Sequence, residues 1–502
     1  MQSLNNLMIN DKLFMVLIIL FAFVLTPILI HSLELSYIEK FHWIRETFEE
    51  NDAGAQLIIE QKGHAEFQKH NEIYEERLQE VETLSEAVAI YREWLRFFRP
   101  WHHAVSINWE VVERELSDPV DPTGWERYEI NEEDFVEYLS SLEEAGFEGV
   151  WISQPYTIGI IIHDDEYLGF VIDEGSTRWQ KQHIKLRFTP PEQDGSTNGI
   201  WYMGDYSPFE FTSAELLGNN NLLLGRFNLK RSFPDYPVTE DDQQVSFHFE
   251  LMNVNTPVFM ELSDDTILLR FPSFLIEHKP VVDEFLVQHH EKIISTPNLI
   301  IDIRNNGGGS DMTYRNLLPY LYTNPIRAYG TEFLASPLNI IFMENQLANI
   351  PADQTELREL LTKKLAEFYD NIGEFVNLYD IEVFDIELED KYPLPERIAV
   401  IINENVGSAA ELFAFEARQS SKTKLFGRTT VGALDTADMI SVDSPCGEIS
   451  LSYCIARSLR LPEQVFDNIG IQPDIFIDRT VPDHKWIDYV KGILTYELEG
   501  EK

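Results

Sequence analysis

Four short stretches carry residue types and spacings that can do chemistry. In "IINENVGSAAELFAF", residues 401 to 415, an apolar run and a polar turn lead into a helix that begins at or near Ser408. A serine there can be a nucleophile. It can equally be a cap, because Ser408 and Glu411 stand in the S-x-x-E spacing whose side chains satisfy free backbone N–H groups. In "NLIIDIRNNGGGSDM", residues 298 to 312, three successive glycines after an apolar strand leave bare main chain. Its N–H groups can turn toward an anion or a developing oxyanion, or merely make a tight strand-to-helix crossover. "FFRPWHHAVSI", residues 97 to 107, puts His102 and His103 where a helix gives way to an extended run, and histidine is the usual general base near neutral pH. In "FDNIGIQPDIFI", residues 466 to 477, Asp467 precedes a Gly and Pro turn, where the simplest role of an aspartate is turn formation.

The elements that must position these residues are legible from periodicity. From about 60 to 98 the pattern is helical, with Val88, Tyr91, Leu95 and Phe98 on one face and Pro100 as its stop. Between 145 and 235 apolar runs such as "YTIGIII" and "YLGFVID", separated by the turn-like "HDDE", predict strands. Past Tyr236 strand and helix alternate, which calls for crossover connections and a largely parallel sheet. Leu357, Leu360, Leu361, Leu365 and Phe368 share a helical face inside a segment that interrupts the alternation. The expected domains are a leader at 1–33, a helical segment at 34–110 ending at the candidate histidines, and a small β-rich domain at 111–235. An α/β core at 236–490 with a helical insertion at about 335–390 and a tail at 491–502 complete the chain.

Composition removes several function classes. Over 502 residues, 85 acidic against 39 basic side chains give a formal charge of −46. Phosphate binding draws on clustered Lys and Arg, so no nucleic-acid partner is expected. The two cysteines, Cys446 and Cys454, make neither a disulfide framework nor a C-x-x-C pair. HExxH is absent and the pairs His102/His103 and His289/His290 lack helical ligand spacing, so neither metal nor cofactor is expected. G-x-x-x-x-G-K-[ST] is missing as well, which argues against a nucleotide loop. Leu13 to Ile30 is uncharged and eighteen residues long, close to the minimum for a membrane-spanning helix. Lys12 precedes it and no clean A-x-A site follows, so we expect a signal anchor, or a cleaved signal, with the rest of the chain outside the cytoplasm.

Taken in order, "TILLRFPSF", "LIIDIRNNGGGS", "AVIINENVGSAAELFAF", "FGRTTVGA" and "IGIQPDI" resemble the serine peptidases of the C-terminal-processing (tail-specific) and tricorn-core family, over roughly residues 260 to 480. The resemblance implies an α/β fold with a crotonase-like and ClpP-like β/α catalytic core, and peptide or protein substrates. It makes Ser408 the nucleophile and puts the N–H groups of Ala409 and Gly308 in an oxyanion hole. The helix terminus at Ser408 then has a second use, since its dipole favours a negatively charged intermediate. Where the commoner branch carries an activating lysine in a "TxGK"-type segment, this chain reads "TTVGA" with Ala433. The tricorn-like branch instead uses an N-terminal histidine and an acid before the "GxxPD" turn, places filled here by His102 or His103 and by Asp467. Strand alternation and the family's "FFxxGH" favour His102; a "His-Ala" match keeps His103 open. The rival reading is a catalytically inactive member serving as an extracytoplasmic binding protein. Residues 145 to 235 lack the Gly-rich carboxylate-binding loop of the PDZ domain found in many relatives, so a preference for substrate C-termini does not follow.

Overall fold

The computed structural model describes residues 35–112, 124–175 and 177–499. The leader and its apolar run at 13–30 lie outside them; among the described residues no helix is long and apolar enough to cross a membrane. The described chain divides into two compact units, one built from its two ends and the other from residues 115–253 with 483–485.

The first unit begins with helices α1 (Tyr37–Asn51), α2 (Ala55–Lys62), α3 (His64–Arg77) and α4 (Leu84–Leu95). Capping boxes at Ser36/Glu39 and Thr83/Glu86 start α1 and α4, satisfying donors that the helix itself cannot. The face of α4 read from the sequence is buried: Val88, Tyr91, Leu95 and, just beyond, Phe98 join Phe41, Phe48 and Trp94 in one apolar cluster. After the turn that holds His102 and His103 comes strand β1 (Ala104–Ile107).

The second unit is a closed antiparallel barrel of eight strands: β2 (Gly149–Ser153), β3 (Tyr156–His163), β4 (Glu166–Asp173), β5 (Ile184–Phe188), β6 (Ser196–Tyr202), β7 (Pro208–Leu217), β8 (Asn221–Leu224) and β9 (Phe227–Phe233). Pairing of β2 with β9 closes it, leaving no free edge. Eight strands enclose a space that side chains can fill, and Trp151, Ile160, Phe188, Trp201, Phe211 and Leu229 fill it. Gly159, Gly169 and Gly199 lie directly under Phe170, Leu186 and Phe211, where an added methyl would sit within 2.5 Å of those side chains. This barrel is the small β-rich domain.

The chain then returns to the first unit with β10 (Val258–Ser263), β11 (Thr266–Arg270), helix α5 (Lys279–Ile293) and β12 (Asn298–Asp302). Next come β13 (Ile326–Tyr329), β14 (Thr331–Leu334), helices α6 (Pro337–Asn349) and α7 (Thr355–Asp370), β15 (Phe375–Val376), β16 (Val383–Ile386) and β17 (Arg397–Ile402). Helix α8 (Ala409–Ala417), β18 (Thr423–Gly427), β19 (Thr436–Asp443), β20 (Ile449–Ser458), β21 (Ile475–Phe476) and helix α9 (Trp486–Glu499) complete the described chain. One sheet runs β10-β11-β12-β17-β18-β21, parallel throughout except at β10. Its central strands are buried along nearly their whole length, as crossover helices on both faces require. A second, antiparallel sheet joins β1 to β20, β20 to β14 and β19, and β14 to β15. The α/β core, the N-terminal helical segment and the β-rich domain are therefore all present.

Candidate active site

Parallel neighbours deliver their following loops to the same end of a sheet, and β12 and β17 are neighbours. The glycine loop after β12 and the Ser408 loop after β17 are stitched together there. Asn305 N–H donates to Asn403 Oδ1 at 2.9 Å, Asn403 Nδ2 to Asn305 Oδ1 at 2.8 Å, and Gly407 N–H to the Asn306 carbonyl at 3.1 Å. Beneath the glycine loop a buried ion cluster holds the strand end, with Asp302 accepting from Arg304 at 2.8 Å and facing Arg270 at 3.4 Å. Those two guanidiniums hold the Asp302 carboxyl below the ordinary range despite its burial.

Ser408 sits at the junction of this loop with α8, partly exposed among buried neighbours. Its backbone has φ 54° and ψ −126°, a sparsely populated combination for a residue with a side chain. Of the capping box, the bond from Ser408 N–H to Glu411 Oε2 is formed at 3.2 Å. The hydroxyl faces the N3 backbone N–H of Glu411, the other half of the box, without making a cap hydrogen bond of ordinary geometry. The Ala409 N–H, the first free donor of α8, has no partner among the described residues. Gly308, at φ 96°, lies against both: a methyl there would be 2.7 Å from Ala409 N and 2.8 Å from Ser408 Cβ. The Gly308 N–H donates to Asn306 Oδ1 at 2.9 Å. Trp101 covers the other side, its ring within 2.5 Å of where a Gly407 methyl would be.

Both histidines precede β1, and His102 has left-handed backbone at φ 63°, so strand alternation does not extend to them. His103 Nε2 is bonded to the Arg99 carbonyl at 2.7 Å, with the ring edge-on to Phe48. His102 Nδ1 is buried and without a partner, and the ring lies against the Thr436 backbone. Among the described residues no hydrogen bond joins the His102 ring to Ser408. Burial, then the Arg99 charge, pushes both imidazoles down to about 4. The His102 turn is fixed by Arg99, which forks onto Asp52 and donates to the His102 carbonyl at 2.9 Å. Asp52 also accepts the Cys454 N–H of β20 at 3.1 Å.

Asp467 is buried. Its Oδ1 accepts the Leu434 and Asp435 N–H groups at 2.8 Å each, while the Asp435 carboxylate accepts the Phe466 and Asp467 N–H groups. Burial, then the neighbouring Asp435, pushes Asp467 up to about 7. Asn468 Nδ2 donates to the Phe98 carbonyl at 3.1 Å, tying this turn to the end of the histidine segment. Asp467 and His102 thus converge on residues 434–436 from two directions. Ala433 is fully buried. Glu411, readable from the sequence only as a cap, is in addition an acceptor for that same loop. The Asp52–Arg99 pair, 47 residues apart, left no sequence signal. Among the described residues no group of His, Cys, Asp and Glu could hold a metal ion.

Residues 265–477 match the model of peptidase family S41. Among solved structures, mature CPAF complexed with lactacystin is similar at 13% identity and TM-score 0.52, over 93% of this chain and 99% of that one. Mature CPAF is similar at 14% identity and TM-score 0.50, over 91% and 96%. The tricorn protease matches at 12% identity and TM-score 0.37, over 92% of this chain and 37% of that one. For the two CPAF structures, at these identities, the likeness is one of fold. No curated protein matches the chain.

Proposed function

From the premise that residues 265–477 carry a peptidase family S41 core, we propose that this peptidase is a serine-type endopeptidase working through an acyl-enzyme on Ser408. The observation that carries the proposal is the Ser408 junction: strained backbone, a partly exposed serine, and an unengaged Ala409 N–H against Gly308. Strain of this kind costs about 1–3 kcal/mol and persists where function needs it; a mere cap needs none. His102, whose Nδ1 is unengaged, takes the Oγ proton as Oγ attacks the peptide carbonyl. Closing on Ser408 requires the imidazole to swing from the Thr436 backbone, and such hydrogen bonds commonly tighten only with substrate bound. The Ala409 N–H holds the oxyanion, joined by that of Gly308 when Asn306 Oδ1 releases it. Protonated His102 then gives its proton to the leaving amine, and water cleaves the acyl-enzyme. Asp467 acts through residues 434 and 435, which it grips next to the Thr436 backbone beside the imidazole.

The test is covalent labelling with a fluorophosphonate. Labelling is expected on Ser408, lost in Ser408→Ala and His102→Ala and kept in His103→Ala; a folded, unlabelled parent protein would overturn the proposal. Ala433 at the lysine position favours the rival reading of a binding protein, and the same probe separates the two. Localisation outside the cytoplasm, with residues 13–30 as anchor, belongs to the same proposal and rests on that apolar run. Cell fractionation tests it, and recovery of the chain in the cytosol refutes it.

A further inference from the structure

The Glu411 carboxylate is fully buried in the first turn of α8 and faces donors only. Its Oε1 accepts the Thr430 hydroxyl and the Gly432 N–H, the latter at 2.8 Å; its Oε2 accepts the Ala433 N–H at 2.8 Å and the Ser408 N–H at 3.2 Å. Thr430 Oγ1 in turn accepts the Ile471 N–H at 2.7 Å, and the Gly432 carbonyl accepts the Asn468 N–H at 3.3 Å. Gly432, at φ 78°, presses so closely on this turn that a methyl would meet the Phe466 carbonyl at 2.7 Å. One carboxylate therefore spans from the peptide N–H of Ser408 to the loop whose next residues are held by Asp467.

We infer that Glu411 is a positioning residue: it sets the strained Ser408 peptide and locks the nucleophile to the turn that carries Asp467, in register with the residues beside His102. The inference rests on the serine-peptidase reading of Ser408 for its catalytic consequence, though not for the coupling itself. Four donors converge on two oxygens, and an ionised carboxylate is the side chain that offers acceptors on both. Glutamine has the same shape, but its amide NH2 must turn one donor pair toward N–H or O–H groups and leave them buried without a partner. The cheapest relief is for the loop and the Ser408 turn to draw apart. A displacement of about 1 Å at a reacting group costs on the order of 100-fold in rate.

The experiment compares the parent, Glu411→Gln and Thr430→Val, all checked for folding by circular dichroism and melting. Two readouts are taken: the second-order rate of fluorophosphonate labelling, and hydrogen exchange of segments 404–412 and 428–436. For Glu411→Gln, labelling is expected to fall about 100-fold, with exchange rising in both segments together. Thr430→Val removes two hydrogen bonds, the one it donates to Glu411 and the one it accepts from the Ile471 N–H, but leaves the carboxylate three donors; labelling is expected to fall by less than about tenfold, with a smaller joint rise in exchange in the two segments. Labelling of folded Glu411→Gln at the parental rate, or unchanged exchange in the two segments, overturns the inference. If Glu411→Gln does not fold, Thr430→Val decides: a joint rise in exchange confined to the two segments supports the coupling, and none overturns it. An unlabelled parent defeats the serine-peptidase reading and leaves the exchange result to judge the coupling.

Discussion

Gly308→Ala puts the proposed oxyanion geometry under direct stress. The new methyl carbon would lie 2.6 Å from the Gly407 carbonyl oxygen, 2.7 Å from Ala409 N and 2.8 Å from Ser408 Cβ. None of the three is the end of a flexible side chain. Carbon atoms rest at about 3.5 Å or more, so relief needs a relative shift of about 0.7 Å between the glycine loop and the nucleophile turn. If the loops resist, overpacking costs about 1–3 kcal/mol. Holding alanine at the φ of 96° that Gly308 adopts costs about 1–3 kcal/mol more. If they yield, the shift falls on the atoms that would hold the oxyanion, where losing one donor costs about 100- to 1,000-fold. The expected result is therefore labelling slowed at least about 100-fold, with a lower melting temperature. Gly307→Ala is the matched control: its methyl would meet only the Trp101 ring, at 3.5 Å, an ordinary contact. It is expected to label within about threefold of the parent, because such a contact forces no rearrangement. The reasoning is refuted if Gly308→Ala labels and melts like the parent, or if Gly307→Ala is equally damaging.

Three other measurements bear on the same framework. Ser408→Gly relieves the left-handed backbone and should melt higher, by about 1 kcal/mol in stability, while losing all labelling; a lower melting temperature would remove strain as the argument for a nucleophile. Because His102 is neutral above about 4 and Asp467 gains its charge only near 7, labelling should rise with pH through about 7. Asp467→Asn should flatten that limb, and an identical limb in the variant rejects the assignment. Glu416 is raised to about 8, first by burial and then by Asp311, so the fold keeps a proton there that the unfolded chain gives up near its ordinary value. Stability should fall as pH rises through that window, by at most about 1.4 kcal/mol per pH unit from this residue. Melting temperatures of Glu416→Gln should drop less between pH 5 and 8; an equal drop contradicts the assignment.

Much of the fold was readable because its signals are local. Buried parallel strands such as "NLIIDI" and "RIAVII" are apolar along their length, and the helix after Ser408 announces itself by a polar turn before "AAELFAF". Closure of the barrel was not readable, since alternation marks strands but says nothing about which edge meets which; the β2–β9 pairing is long-range. At the site, residue types and order pointed to Ser408, the histidines and Asp467. Their conformations did not follow: left-handed φ at both His102 and Ser408 is imposed by tertiary partners, against the preference of residues with a Cβ. Glu411 shows the limit most clearly. Three residues from Ser408 it satisfies the cap pattern, but its other partners lie 19 to 22 residues away in a loop that no periodicity marks.

The pairing of β1 with β20 matters for the order in which the protein comes into being. Ala104–Ile107 wait for Ile449–Ser452 before they have a strand to lie against, and the Asp52 carboxylate waits for the Cys454 N–H. Synthesis proceeds from the N-terminus, so the turn bearing His102 is made early and stays without its sheet until almost the whole chain has emerged. The acid turn, ending at Ile471, arrives later still. A ribosome-bound chain thus holds the His102 turn without the sheet that frames it, and the arrangement proposed for Ser408, His102 and Asp467 cannot assemble until synthesis is nearly finished.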